Sequence, residues 1–181
     1  AARSLSNTIW SKAYYAIANC NELLQKIEGC DDAFEYPWEK QMIMAEARGI
    51  RGLLHFEMLQ LFVPAPVTGY DGQALPYVTS YPDLKPAYKS MKEYIDLVIE
   101  DLKYAQEQLA PIDIDELRNK SNFVSGTMRL DNMDYVLFQG VGNIHSNGGK
   151  RDNAFGDGFF AFRGYRFNYW SATGLLARVY S

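Results

Sequence analysis

The sequence predicts an all-α domain built from antiparallel helix pairs, with a long irregular, partly β segment at about residues 112–165. Apolar residues recur at spacings of three and four over long stretches, which is the pattern of amphipathic helices. Proline or glycine ends these stretches. The pattern is lost after Ile112, where glycines cluster instead, and this loss predicts the irregular segment.

The composition describes one globular domain. The chain has 181 residues, 48% of them hydrophobic, and a net charge of −4, so it can bury about 70% of the surface that it exposes when unfolded. Its slight acidity argues against a nucleic-acid partner. The sequence contains no run of about 18 apolar residues, so it predicts no membrane-spanning helix. Cys20 and Cys30 have no metal-site spacing, and two free thiols are favoured over one disulfide, which leaves the compartment undecided.

The first helix is predicted from about Ser6 to Glu28, with Gly29 as its C-terminal cap. Its apolar positions follow one another at spacings of four, three, four and three: Ala13, Ile17, Cys20, Leu24 and Ile27. The loop that follows is short. The sequence therefore predicts a helical hairpin with the next helix.

The second helix is predicted from Pro37 to about Phe62, because proline suits a first helical position and Pro64 cannot continue the helix. Gly49 and Gly52 lie inside it and are interpreted as positions of close packing. The stripe expected to be buried consists of apolar residues at helical spacing: Ile43, Ala47, Ile50, Leu54, Met58 and Leu61.

The segment from Val63 to Lys89 carries five prolines and four tyrosines, which is typical of an ordered loop. Long loops inside compact domains are often functional. This segment is therefore one of two regions in which a ligand site is expected.

The third helix begins with a capping box formed by Ser90 and Glu93, and Pro111 ends it. Its predicted buried face consists of Tyr94, Val98, Leu102, Ala105 and Leu109. A last helix is predicted from Asn168 to Ser181. It carries no C-terminal stop signal, so we expect the domain to be truncated at this end and to continue in a longer protein.

The segment between the last two helices predicts short strands at residues 135–138 and 159–162, but no nucleotide site. After Gly140 and Gly142, a dinucleotide fingerprint would require glycine where His145 stands. A phosphate-binding loop that ends at Lys150 would require glycine where Ile144 stands. A glycine-rich surface loop is the better interpretation.

The sequence does not indicate an enzyme, a metal site or a cofactor. His55 and His145 are far apart, and neither has a second histidine or cysteine at ligand spacing. His55 is interpreted as a hydrogen-bonded histidine on a helix face. No nucleophile elbow is present in the sequence. A pocket that holds a nucleophile beside a base would revive the enzyme hypothesis.

Four strings in order resemble the SusD-like (SusD/RagB) family. The most specific runs from Ala45 to Phe56 and resembles that family's E-A-R-x-x-R helix, although Phe62-Val63-Pro64 replaces the usual Tyr-Gly turn after it. Residues 14–24 resemble the family's first helix. Residues 75–79 with 93–111 resemble its capped helix of tyrosine and Glu-Asp-Leu. Residues 166–180 resemble its R-x-N…A-L-L-A-R-V-Y helix. The resemblance covers about residues 10–111 and 166–181 and leaves residues 112–165 as an insertion.

The resemblance implies a scaffold of tetratricopeptide-like helix pairs and a non-enzymatic role without cofactors. Such proteins are lipoproteins on the extracellular face of the outer membrane. They cap a SusC-like TonB-dependent transporter and bind oligosaccharides or other nutrients for it. The resemblance thus implies contact with the membrane only through a lipid anchor outside this sequence, and no nucleic-acid partner.

The family's ligand residues vary between members, so the candidate site rests on the residues themselves. Aromatic rings stack on the C–H faces of sugars. Four aromatic residues of loops or helix edges are predicted to form such a platform: Trp38, Tyr70, Tyr77 and Tyr81. Glu46, Arg48 and Arg51 are interpreted as structural ion-pair partners between helices.

A second hypothesis remains open at this point. The chain could be a helical-repeat adaptor that binds a protein partner on a helix surface and has no small ligand. Exposed aromatic rings that converge would favour nutrient binding, whereas an apolar groove between helices would favour the adaptor.

Overall fold

The computed structural model describes residues 2–34, 36–65, 69–70, 72–116 and 166–181. Their regular elements are the helices α1 (Ala2–Ile27), α2 (Pro37–Phe62), α3 (Met91–Ala110) and α4 (Tyr169–Tyr180), and the strands β1 (Gln73–Pro76) and β2 (Tyr88–Ser90). A 3₁₀ turn covers Asp31–Ala33 and a π-helical turn covers Pro111–Glu116. The strands predicted at 135–138 and 159–162, and His145, lie outside the described residues.

Successive helices are antiparallel, as predicted. Trp10, early in α1, lies beside Phe62 at the end of α2, with the ring centroids 5.1 Å apart. Asn21, later in α1, bonds to Arg51, which comes earlier in α2, so the two helices run in opposite directions. The same reversal relates α2 to α3 through Gln41 with Gln108 and His55 with Tyr94, and α4 lies against α3. The fold is thus an all-α, tetratricopeptide-like array of helix pairs.

Most ends of the helices agree with the sequence signals, although α1 begins at Ala2 and not at about Ser6. Ser90 Oγ accepts a hydrogen bond from the amide of Glu93, whose carboxylate accepts one from the amide of Ser90, which confirms the capping box. The α-helical part of α3 ends before Pro111, as predicted, but the chain continues in the π-helical turn. Asn168 caps α4 by accepting a hydrogen bond from the amide of Ser171 at 2.9 Å.

The buried face of α2 differs from the predicted stripe. Ile50 and Leu61 are 37% and 60% exposed, so they do not belong to the core. The buried face instead combines small and apolar residues with the polar side chains of Arg51 and His55. The predicted stripe is correct at Ala47 and Met58, which are buried. It is wrong at Ile50 and Leu61, because an apolar period does not reveal buried polar residues whose partners lie on another helix.

Both glycines of α2 are packing positions, as predicted. A Cβ atom at Gly49 would lie 2.2 Å from a ring carbon of Phe167, closer than real atoms approach. A Cβ atom at Gly52 would lie 3.2 Å from the Cβ atom of Asp101. The missing side chains therefore let α3 and the segment before α4 lie directly against α2.

The segment between α2 and α3 contains a small sheet that the sequence did not predict. Strands β1 and β2 pair antiparallel, with Gln73 opposite Ser90 and Pro76 opposite Tyr88. Most of β1 is buried against the core, and it brings the chain alongside α1. Cys20 and Cys30 are free thiols, which confirms the favoured interpretation.

Candidate functional site

A buried ion pair joins the middles of α2 and α3. Arg51 donates two hydrogen bonds to Asp101, from Nε to Oδ2 at 2.7 Å and from Nη2 to Oδ1 at 2.8 Å. Arg48 Nε donates a third, at 2.7 Å, to Oδ1. Burial disfavours the charged carboxylate, but the hydrogen bonds and charge of Arg51, with further bonds from Tyr77 and Arg48, outweigh burial and lower the pKa of Asp101.

This ion pair extends into a network that reaches α1 and the loop after β1. Arg51 Nη1 donates to Asn21 Oδ1 at 2.7 Å, and the Tyr77 hydroxyl donates to Asp101 Oδ2 at 2.7 Å. We call Asn21, Arg51, Tyr77 and Asp101 the arginine–aspartate network. Separately, Glu46 accepts a hydrogen bond from Arg166 at 2.7 Å. The structural interpretation of Glu46, Arg48 and Arg51 is thus confirmed.

His55 lies beside this network in the core. Its ring stacks on that of Tyr77, with the ring centroids 3.9 Å apart. The amide of Val78 donates to Nε2 at 3.2 Å, so the proton is on Nδ1, which lies 2.9 Å from the Tyr94 hydroxyl. Burial lowers the pKa of His55 to about 4, so the ring is neutral at neutral pH. His55 is therefore a hydrogen-bonded core histidine.

The loop after β1 runs along α1 and is held by side chains. Tyr14 donates its hydroxyl proton to the carbonyl of Pro76 at 3.0 Å, and Asn21 Nδ2 donates to the carbonyl of Val78 at 2.9 Å. The amide of Tyr81 donates to Gln25 Oε1 at 3.0 Å. The loop thus follows α1 from its middle to its last turn.

The four residues predicted as a stacking platform lie in different environments. Tyr77 is only 6% exposed and belongs to the core, which corrects its prediction as a stacking residue. Tyr70 lies over Gly72 and donates its hydroxyl proton to the carbonyl of Gln73. Trp38 is half-buried and stacks on Tyr36, with the ring centroids 6.1 Å apart and the planes 13° apart. Tyr81 is 46% exposed.

Three exposed or half-exposed aromatic groups lie at one end of the helix array. We define the aromatic end as the last turn of α1, the first turn of α2 and the first turn of α4. It carries Tyr81 beside α1, the Tyr36–Trp38 pair on α2 and Trp170 on α4. Tyr36 and Trp170 were not predicted as site residues, and the one available signal was their position at predicted helix starts.

The opposite end of the array has an apolar cavity, and the ring of Tyr180 is exposed at this end as well. We define the aliphatic end as the last turn of α2, the first turns of α3 and the last turn of α4. It contains a cavity of about 520 Å³ lined mostly by apolar side chains, among them Phe56, Leu59, Val63, Met91, Ile95 and Val179. Such a lining offers few hydrogen bonds to a polar ligand.

The described ranges contain neither a cluster of metal ligands nor a helix that could span a membrane. No group of three or more metal-ligating side chains lies close together among these residues. In the same part of the chain, none of the helices is both long and apolar enough to cross a membrane.

The structure thus has the features of one class of protein, a scaffold of antiparallel helix pairs with several exposed aromatic rings. The family described as starch-binding and associating with the outer membrane, a SusD-like family, matches residues 2–122. Because the match covers more than half of the chain, the chain belongs to this SusD-like family. This membership confirms the resemblance seen in the sequence.

A solved structure of a SusD superfamily protein from Bacteroides thetaiotaomicron VPI-5482 is similar to this chain, with 23% sequence identity and a TM-score of 0.57. The likeness covers 94% of this chain but 27% of that protein, and it shows a shared fold. This chain thus spans about a quarter of the length of that relative. No curated protein matches the chain.

Proposed function

We propose that this chain is the N-terminal helical domain of a non-enzymatic, nutrient-binding protein that captures oligosaccharides at the outer membrane. The description of its family supports the carbohydrate ligand and the membrane association. The observation that carries the proposal is the set of aromatic rings at the aromatic end. Stacked and exposed rings offer flat apolar faces to the C–H groups of a sugar.

The geometry of the Tyr36–Trp38 pair suits this role. The two rings are stacked with their planes 13° apart, and Tyr36 is 40% exposed, so the pair offers an aromatic ring that its neighbour holds in place. Polar groups lie close by, since Lys40, on the same helix, bonds to the exposed Asp31 of the turn at 2.6 Å. Rings beside hydrogen-bonding side chains are the combination that a sugar ligand needs.

The buried titratable groups support a binding role rather than catalysis. Arg51 and Asp101 neutralise each other, and His55 is fixed by hydrogen bonds on both ring nitrogens. A catalytic acid or base must reach its substrate. These three groups lie in the core and thus serve the fold.

The proposal includes a partner and a place. A SusC-like TonB-dependent transporter would receive the nutrient, and a lipid anchor outside this sequence would hold the protein on the extracellular face of the outer membrane. A rigid helix array suits such a cap, because the arginine–aspartate network joins α1, α2 and α3 into one unit. Residues 112–165 are proposed as an insertion in this domain.

The test is binding of polysaccharides, measured by affinity electrophoresis in gels that contain soluble starch or one of a panel of other glycans. Tyr81→Ala and Trp38→Ala should each weaken binding about tenfold, the loss expected when one stacked ring is removed. Tyr15→Ala removes a tyrosine outside the aromatic end that is 68% exposed, more than Tyr81, and should change nothing.

Other outcomes would contradict parts of the proposal. If the protein binds a glycan and neither substitution matters, the site is not at the aromatic end. If no glycan is bound, the carbohydrate proposal fails. The cavity of the aliphatic end would then favour the adaptor hypothesis, in which apolar side chains of a protein partner fill it.

A further inference from the structure

Three polar side chains of α1 lie on one face of the helix and all point to the same loop. The three residues are Tyr14, Asn21 and Gln25. Spacings of seven and four residues correspond to about two turns and one turn of a helix, so the three side chains share one face. Each bonds to the backbone of residues 76–81. We call these three residues the α1 ladder.

The lengths of the two segments match. From Tyr14 to Gln25, α1 rises by about 16 Å at its usual rise per residue. From Pro76 to Tyr81, an extended chain covers about 16 Å as well. The loop can therefore lie parallel to α1 in an extended form, with its hydrogen bonds spread along the whole contact.

The ladder solves a hydrogen-bonding problem. An extended chain beside a helix finds no free backbone partners, because the helix uses its own amides and carbonyls internally. Side chains must therefore take the place of a neighbouring strand. Asn21 serves the carbonyls of Val78 and Ser80, at 2.9 and 3.4 Å, and Gln25 serves the amide of Tyr81.

The inner and outer parts of the ladder differ in environment. Asn21 is buried and also bonds to Arg51, so it belongs to the arginine–aspartate network as well. Gln25 is exposed, and its bond to Tyr81 fixes the last part of the loop. The backbone of Tyr81 is thus held by Gln25, which lies one helical turn from the buried Asn21, whereas the ring of Tyr81 is exposed.

We infer that Gln25 is a positioning residue, which holds the backbone of Tyr81 so that its ring faces a ligand at the aromatic end. The inference rests on the proposed function, because it requires Tyr81 to contact the sugar. Gln25 itself need not touch the ligand. Its effect on binding comes from fixing the ring before the ligand arrives, which lowers the entropy lost on binding.

The test compares Gln25→Ala with Gln60→Ala. Gln60 is also an exposed glutamine whose side-chain oxygen accepts one hydrogen bond, from Arg178 at 3.0 Å, but it lies at the aliphatic end. Gln25→Ala should speed hydrogen exchange at the Tyr81 amide and weaken glycan binding, each by about threefold to tenfold, the effect of one hydrogen bond. Gln60→Ala should change neither quantity.

Two further measurements separate positioning from general stability. The melting temperature of Gln25→Ala should stay within about 2 °C of the unchanged protein, because the residue is exposed. Gln25→Glu keeps an oxygen acceptor for the Tyr81 amide and should restore both slow exchange and glycan binding.

The outcomes distinguish this inference from the proposed function. If Tyr81→Ala weakens binding but Gln25→Ala changes neither exchange nor binding, the inference is overturned and the proposed site stands. If exchange becomes faster while binding is unchanged, Gln25 holds the loop without serving the ligand, and the inference is also overturned. If Tyr81→Ala leaves binding intact, the proposed site and the inference fail together.

Discussion

The two ends of the helix array have different surfaces although the same helices form both. At the aromatic end, rings such as Tyr81 and Trp170 are about half exposed, and the ion pair of Lys40 with the exposed Asp31 lies at the same end. At the aliphatic end, Leu61 and Tyr180 are exposed, and a cavity with mostly apolar walls lies at the same end. The first surface suits a hydroxylated ligand that stacks on rings, whereas the second suits apolar side chains.

One scaffold can carry two different surfaces because a buried layer of polar side chains lies between its ends. Between the ends lie the arginine–aspartate network and His55, which tie α1, α2, α3 and the loop after β1 to one another. Such a buried layer is satisfied in one arrangement only. A substitution in the layer should therefore affect both ends, and a substitution outside it should affect one.

The largest effect is expected for Asp101→Ala. The change leaves Arg51 charged and without its carboxylate in the core, which should lower the free energy of unfolding by about 3–5 kcal/mol. Urea unfolding measures this loss, and both ends should lose structure together. Glu100→Ala, which removes the exposed partner of Arg48, should lower it by less than about 1 kcal/mol. Equal losses in the two variants would contradict a central role for the network.

A second effect depends on pH and acts through His55. Its pKa is about 4 in the folded protein, because burial disfavours the charged ring, against an ordinary value of 6.5. The unfolded chain therefore binds the proton more tightly. The contribution of neutral His55 to the free energy of unfolding is fully present above pH 6.5. This free energy should fall by about 3 kcal/mol as the pH decreases from 6.5 to about 4.

The pH effect is measured as the urea midpoint at several pH values. His55→Gln should remove most of the dependence between pH 6.5 and 4, although the variant is less stable at pH 7. Asp101 contributes at lower pH, because its pKa is depressed and its stabilising charge is lost only when the carboxylate is protonated. A dependence that survives unchanged in His55→Gln would assign the effect to other groups.

The smallest effect is expected for Gly49→Ala. It should reduce stability mainly where α2 packs against the segment before α4, towards the aromatic end. The new methyl group would meet the ring of Phe167, which must move, at a loss of about 1–3 kcal/mol. Amide exchange should increase near the start of α4 and not at the aliphatic end. Gly174→Ala is the matched control, since its Cβ atom would meet nothing within 4 Å, and it should stabilise α4 by up to about 1 kcal/mol.

Much of the fold could be predicted because its signals are local. Pro37 and Pro64 delimit α2, and Ser90 with Glu93 starts α3, since these residues act through their own backbone neighbours. The buried face of α3 was also correct, because all its predicted positions are apolar. Of the four residues predicted as a stacking platform, Trp38 and Tyr81 lie at the aromatic end, and their role in binding stays a prediction.

Other features could not be predicted because they depend on distant partners. Tyr77 resembles Tyr81 in the sequence, yet Tyr77 is buried by its bond to Asp101 and its contact with His55, whereas Tyr81 is exposed. Ile50 was expected in the core and Arg51 was not expected at its centre. The reason is that Arg51 has its charge partner 50 residues away, on α3.

The sequence by itself determined the helices, their ends, their antiparallel order and the family, because spacing, caps and motif residues are properties of neighbouring positions. Tertiary packing sets which residues of α2 are buried, which tyrosine rings are exposed to solvent, and how the α1 ladder holds the loop after β1. These features arise when hydrogen bonds join residues far apart in the chain. Their energy exists only once the helices have packed.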